Sequence, residues 1–192
     1  MSAEPREDIG FGTQAVHAGV SPEPITGAIM TPIFQTATYV QNAVGEPNKG
    51  NYDYGRTANP TREALEASIA VLENGSSGIA FSSGLAAIEA IVKRLSAGDH
   101  VISEENTYGG TTRLFTKIMS RLGLTFTFLD TSDPSEVANA IRDETKLIHL
   151  ETPTNPLMRV SDITKLANLA HDAGALLSVD NTFASPFNQR PL

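Results

Sequence analysis

A chain of 192 residues, 40% of them hydrophobic, is long enough to bury one substantial core and carry a smaller lobe. Its net charge of −8 and sequence pI near 4.9 exclude a nucleic-acid-binding face, which needs basic residues to replace the counterions around phosphates. The lack of cysteine excludes disulfides, thiolate metal sites and a cysteine nucleophile.

Met1–Gly10 is acidic and polar and lacks the charged-then-apolar pattern of a secretory leader. No apolar run approaches the roughly 18 residues of a membrane span, so a cytoplasmic protein without a membrane partner is expected. Residues 1–58 are rich in Gly, Pro, Thr and Asn and show little periodicity, which predicts an extended arm or partner-contacting lobe. Within it, Asn51-Tyr52-Asp53-Tyr54-Gly55-Arg56 sets a phenol and a guanidinium two residues apart. The planar fork of an arginine suits phosphate, while its commoner use is a surface salt bridge.

Residues 59–192 read as one α/β domain. Asn59-Pro60 opens a helix with Leu65, Ile69 and Leu72 as its stripe and Gly75 as its stop. Asn74-Gly75-Ser76 has the form of a glycosylation sequon and reads as an ordinary turn. Strands are then predicted at Ile79–Ser82, His100–Ser103, Thr125–Leu129, Leu147–Leu150 and Ala175–Val179. Helices separate them: Ile88, Ile91, Val92 and Leu95 form one stripe ending near Gly98, and Leu114, Phe115, Ile118, Met119 and Leu122 another before Gly123. Asp133-Pro134 starts a third, and Ser161 opens a fourth with Ile163, Leu166, Ala167 and Ala170 on its buried face and Gly174 beyond. The alternation predicts a mostly parallel sheet with helices on both faces. Neither an internal repeat nor a low-complexity tract is found.

In such sheets the ligand sits outside the carboxyl ends of the strands. Polar residues concentrate there: Ser82-Ser83-Gly84-Leu85, Glu104–Gly110 with Tyr108, Glu151-Thr-Pro-Thr-Asn155-Pro156, and Asp180-Asn181-Thr182. Ser83-Gly84-Leu85 at a strand-to-helix junction offers free N–H groups and the positive end of a helix dipole to an anion such as phosphate, although Ser-Ser-Gly is also a common turn. Neither G-x-G-x-x-G nor G-x-x-x-x-G-K-[ST] is present, which argues against a nucleotide-binding α/β domain. Asp180 ends an apolar strand, where a carboxylate is costly without a cationic or hydrogen-bonding partner; a protonated pyridine nitrogen would serve, and so would a helix cap or turn. Tyr108 fits either a core aromatic or a ring stacked on a flat ligand. His17, His100, His149 and His171 lack metal-ligand spacing, so no metal site is expected.

Seven segments in order carry a family resemblance: Thr13-Gln-Ala-Val-His-Ala-Gly19, Thr31-Pro-Ile-Phe-Gln-Thr36, Tyr54-Gly-Arg56 with Asn59-Pro-Thr-Arg62, Ser82-Ser-Gly-Leu85, Tyr108-Gly-Gly-Thr111, Glu151-Thr-Pro-Thr-Asn-Pro156 and Val179-Asp-Asn-Thr-Phe183. From about residue 11 onward the chain resembles the trans-sulfuration enzymes that use pyridoxal 5'-phosphate (PLP), of the cystathionine γ-synthase and γ-lyase type. The resemblance implies the aspartate-aminotransferase-like fold (PLP fold type I), incomplete at its carboxyl end. It implies an amino-acid substrate (homoserine ester, cystathionine or cysteine) and a homodimer or homotetramer whose site is shared between subunits.

By that resemblance Ser83, Gly84 and Leu85 hold the cofactor phosphate, and Tyr54 and Arg56 reach it from the neighbouring subunit. Tyr108 stacks on the ring and has a possible acid/base role, Asp180 pairs with the ring nitrogen, and Asn155 and Thr182 lie beside it. Arg113 resembles a substrate-side arginine of the synthase branch. Gly110 stands where methionine γ-lyases usually have cysteine, which disfavours that member. The family's Ser-x-Thr-Lys segment, with its Schiff-base lysine, lies further along than the twelve residues that follow Asp180 here (192 − 180), and Lys117, Lys146 and Lys165 all precede Asp180. The expectation is therefore an amino-terminal part of such an enzyme, without that lysine and without the carboxy-terminal domain, and inactive alone. A non-catalytic PLP-binding or assembly module and an O-acetylhomoserine or O-succinylhomoserine sulfhydrylase remain open alternatives.

Overall fold

The computed structural model describes residues 9–48 and 50–192. The leader reading of Met1–Gly10 rests mainly on residues 1–8, which lie outside the described residues. The chain divides into two compact units, one holding the described residues up to Ala80 together with Leu192, the other Phe81–Pro191.

The second unit is built on a parallel sheet of β1 (His100–Glu104), β2 (Thr125–Leu129), β3 (Thr145–Glu151) and β4 (Leu176–Asp180), in the order β2-β1-β3-β4. Strand side chains alternate faces, so adjacent residues enter different cores. Val101 and Leu147 pack with Ile88 and Val92 of α3 (Gly84–Val92) and with Leu114, Phe115 and Met119. Ile102, Ile148 and Leu150 pack with Val137 of α5 (Pro134–Ala140) and with Leu166 and Ala170 of α6 (Ile163–Asp172). Burying each such side chain contributes about 1.5–3 kcal/mol, so this layered core is what fixes the strand ends in space.

The helix starts follow local chemistry. Asn59 accepts hydrogen bonds from the Thr61 and Arg62 N–H groups, and Pro60 occupies the first turn of α2 (Pro60–Leu72), where its missing N–H costs nothing. Asp133 accepts from Ser135 N–H at 2.8 Å ahead of Pro134. Asp162, not the expected Ser161, caps α6 by accepting from Lys165 N–H at 3.0 Å. Ser161 is buried instead, its Oγ 2.7 Å from Thr131 Oγ1.

Several expectations are corrected. Ile79–Ser82 forms no strand: Ala80 N–H bonds to the Glu66 side chain at 2.9 Å, no described strand pairs with the segment, and Ile79 is 73% exposed. An apolar pattern becomes a strand only where a neighbour takes its backbone groups. The helix expected over Leu114–Leu122 starts earlier, as α4 (Gly109–Arg113), then passes through a π-helical turn, Leu114–Ile118, and a 3-10 turn, Met119–Leu122. Hydroxyls of Thr116 and Ser120 donate to the carbonyls of Thr112 and Thr116, competition that bends a helix. Accordingly Leu114, Phe115 and Met119 are buried whereas Ile118 and Leu122 are exposed. Leu65 and Ile69, expected on the buried stripe of α2, are also exposed.

In the first unit, within the segment expected to be an extended arm or partner-contacting lobe, α1 (Phe11–His17) is a helix that packs against α2. The remainder is irregular and held by side chains. Thr61 Oγ1 accepts from Phe34 N–H and donates to Pro32 O, while Asn59 Nδ2 donates to Phe34 O, so the segments around residues 31–36 and 59–62 are tied together.

Candidate functional site

Three of the four polar groups named from sequence follow the carboxyl ends of β1, β3 and β4, whereas the fourth, Ser82-Ser83-Gly84-Leu85, lies at the start of α3 and follows no described strand. Glu151 and Asp180, the last residues of β3 and β4, are register partners, and Thr152 N–H donates to Asp180 O at 3.2 Å. Asp180 Oδ1 accepts from both the N–H (3.1 Å) and the hydroxyl of Thr182, while no described residue bonds to its Oδ2. The carboxylate is thus held in place with one oxygen open.

Glu151 plays a part that sequence reading missed. It is only 5% exposed, and its two oxygens accept from Tyr108 N–H at 2.6 Å and from Asn155 N–H at 3.0 Å. Burial pushes its pKa up, the two backbone bonds oppose this, and the nearby Asp180 charge adds to the rise. The signal available was a glutamate ending an apolar strand ahead of a Pro-rich loop, a position as costly as that of Asp180.

Tyr108 stands immediately before α4 with its side chain half exposed. Its ring lies over Gly110, where a Cβ would run into Cε1 and sit 3.0 Å from Cδ1, so the absence of a side chain at 110 leaves room for the ring. Asn155 is partly buried, and Thr182 is exposed. Arg113 is exposed at the end of α4, and no hydrogen bond or ion pair holds it among the described residues.

Ser83 caps α3 by accepting from Ala86 N–H at 3.1 Å. The N–H groups of Gly84 and Leu85 precede it in the first turn and have no acceptor among the described residues. A Cβ built on Gly84 meets nothing within 4 Å, so the space beside these donors is open.

In the first unit the Arg56 guanidinium lies 4.8 Å from the centroid of the Tyr54 ring, a cation–π contact, and pairs with no carboxylate among the described residues. The turn carrying both is pinned by Arg62, which donates to the Gly55 and Thr57 carbonyls. Gly55 N–H donates to Ala37 O, and a Cβ at Gly55 would lie 2.7 Å from Thr36 O.

Two histidines lie in the sheet, His149 two residues before Glu151 and His100 at the amino end of β1, away from the site. His149 is buried, with Nδ1 2.8 Å from Ser178 Oγ and its ring edge-on to Phe115; burial pushes its pKa down to about 4, against the opposing charge of Asp180. His100 bridges Thr145 and Thr127. Among the described residues no cluster of His, Asp and Glu could hold a metal ion, and no helix is long and apolar enough to cross a membrane.

The donor set fits a flat phosphorylated pyridine. Two free N–H groups at a helix start suit the phosphate, an open carboxylate oxygen suits a protonated ring nitrogen, and a half-exposed tyrosine offers a face for stacking.

Residues 12–192 match the model of the Cys/Met metabolism PLP-dependent enzyme family. The chain is 49% identical over 185 residues to a probable cystathionine gamma-synthase of Herpetosiphon aurantiacus, covering 96% of this chain and 57% of that protein. It is 50% identical over 180 residues to a cystathionine gamma-lyase of Bacillus subtilis, covering 94% and 47%. The crystal structure of metB from Corynebacterium glutamicum superposes with a TM-score of 0.94 at 46% identity, over 98% of this chain and 49% of that one. The chain spans about half the length of the curated relatives it matches.

Proposed function

Because this chain belongs to the Cys/Met metabolism PLP-dependent enzyme family, we propose that it forms the cofactor-binding half of a trans-sulfuration enzyme. The reaction is γ-replacement or γ-elimination on a homoserine ester or cystathionine. The whole protein is a cytoplasmic homodimer or homotetramer in which the amino-terminal lobe of one subunit, with Tyr54 and Arg56, completes the site of another.

PLP, when bound, supplies the electron sink for carbanion chemistry. Gly84 and Leu85 would donate backbone N–H bonds to its phosphate, and Arg56 would add a guanidinium. Asp180 would keep the ring nitrogen protonated through Oδ2. Tyr108 would stack on the ring and hold or move a proton near the reacting substrate. Asn155 and Thr182 would lie beside the ring, and Arg113 would bind on the substrate side.

The observation that carries the reading is the half-occupied Asp180 carboxylate, held by Thr182 through one oxygen and open at the other. A partly exposed carboxylate fixed through one oxygen leaves the other available to a cationic or donor partner. The test is to purify the intact protein, measure PLP per subunit, and assay cystathionine formation from a homoserine ester with cysteine alongside keto-acid release from cystathionine. Stoichiometric PLP with either product supports the proposal, and the product formed distinguishes synthase from lyase. Protein without PLP and without either product overturns it.

A further inference from the structure

Glu151 stands apart from the cofactor-facing groups. It is the last residue of β3, almost fully buried, and surrounded by the loops that carry three of them. One oxygen accepts from Tyr108 N–H at 2.6 Å, 43 residues away in sequence, and the other from Asn155 N–H at 3.0 Å. Its backbone is in register with Asp180, and the next residue, Thr152, donates its N–H to Asp180 O.

We infer that Glu151 is a positioning residue that clamps the loop after β1 to the loop after β3, setting Tyr108 and Asn155 at fixed heights relative to Asp180. The inference rests on the PLP-site reading given above. Chemistry explains the residue type. An ionised carboxylate is acceptor-only at both oxygens, so it can satisfy two converging backbone donors at once. An amide of equal size keeps one acceptor and turns its NH2 toward the other N–H, breaking one half of the clamp and leaving a donor unpaired. Asp is too short to reach both loops from the same strand position.

Tyr108 has the most to lose. Its ring is half exposed, so little side-chain packing restrains it, and its backbone N–H bond to Glu151 fixes the residue from which the ring projects. A loosened residue 108 lets the ring leave the plane in which it stacks.

The test uses the intact protein, stripped of cofactor and titrated with PLP. In a double-mutant cycle with Glu151→Gln and Tyr108→Ala, Glu151→Gln alone is expected to weaken PLP affinity about tenfold, and by no more than about twofold in the Tyr108→Ala background. Equal effects in both backgrounds, or unchanged affinity, overturn the clamp. Because the variant could fail to fold, hydrogen exchange on the wild-type protein gives an independent reading. The Tyr108 and Asn155 amides, although in loops, are expected to exchange at least a hundredfold more slowly than an unprotected loop amide, and exchange at the unprotected rate overturns the clamp. If wild-type protein does not bind PLP at all, the cofactor reading fails, while slow exchange at both amides still identifies the clamp.

Discussion

Glu151 and Asp180 end neighbouring strands in register yet face opposite demands: both oxygens of Glu151 are taken by backbone N–H groups, whereas Asp180 keeps one oxygen open. Two carboxylates at one sheet edge are costly together, and the division explains how both are kept. One is taken up by two loops, and the other keeps an oxygen for the ring nitrogen of the proposed cofactor site.

Asp180→Ala removes that partner. PLP affinity is expected to fall by about 10–100-fold, the range set by a charge-assisted hydrogen bond of roughly 1.5–3 kcal/mol. Titration of cofactor-free protein by absorbance checks it, and unchanged affinity would place the ring nitrogen elsewhere.

Gly84→Pro deletes one donor with little harm to the helix. Proline is favoured at the first helical position, and Ser83 before it is already extended, with φ −161° and ψ 160°. The expected outcome is a melting temperature within a few degrees of wild type, with phosphate-dependent PLP affinity down by about tenfold. Comparing PLP with pyridoxal, which lacks the phosphate, isolates the effect: pyridoxal binding should not change.

Gly55→Ala tests the turn that presents Tyr54 and Arg56. The new Cβ would sit 2.7 Å from Thr36 O, a backbone atom that cannot swing away, so the turn must shift. Destabilisation of about 1–3 kcal/mol is expected in denaturant unfolding, with weaker cofactor binding. Wild-type stability and binding would show that the turn tolerates displacement.

His149 gives a signed pH prediction. Its folded-state pKa, about 4, lies below the ordinary 6.5 because burial disfavours the imidazolium. The stability this contributes is present above pH 6.5 and is lost as the pH falls through about 4, since only the unfolded chain binds the proton readily. Between pH 7 and 4 the wild-type protein should therefore lose on the order of 3 kcal/mol more than His149→Asn. Unfolding curves at several pH values check this, and parallel pH profiles for the two proteins would contradict it.

The sheet was legible because short β-branched or aromatic runs alternate with segments of helical periodicity, and Val101, Ile102, Leu147 and Ile148 are buried as that pattern demands. Helix starts at Asn59-Pro60 and Asp133-Pro134 were equally readable, since a cap acts over three residues. The segment Ile79–Ser82 misled because a strand depends on a neighbour that local pattern cannot report. The π-helical and 3-10 turns after α4 were hidden for a related reason: the bonds of Thr116 and Ser120 back to carbonyls are a choice between conformers that the stripe does not encode.

The site divided in the same way. Asp180 and Tyr108 could be singled out by position after strands, and the structure sets Asp180 at the end of β4 and Tyr108 just before α4; Ser83-Gly84-Leu85 was singled out as a strand-to-helix junction, and of that junction only the helix start is present. The tie through Glu151 could not, because its partner Tyr108 lies 43 residues away and is engaged through its backbone N–H, which every non-proline residue has.

Whether this chain supplies the PLP site would be decided by a structure of the intact protein with PLP bound. Phosphate oxygens are expected within about 2.7–3.1 Å of the Gly84 and Leu85 nitrogens, with the ring nitrogen at Asp180 Oδ2 and the Tyr108 ring stacked on the pyridine. A cofactor bound away from the ends of β3 and β4, with Asp180 Oδ2 facing solvent, would contradict it.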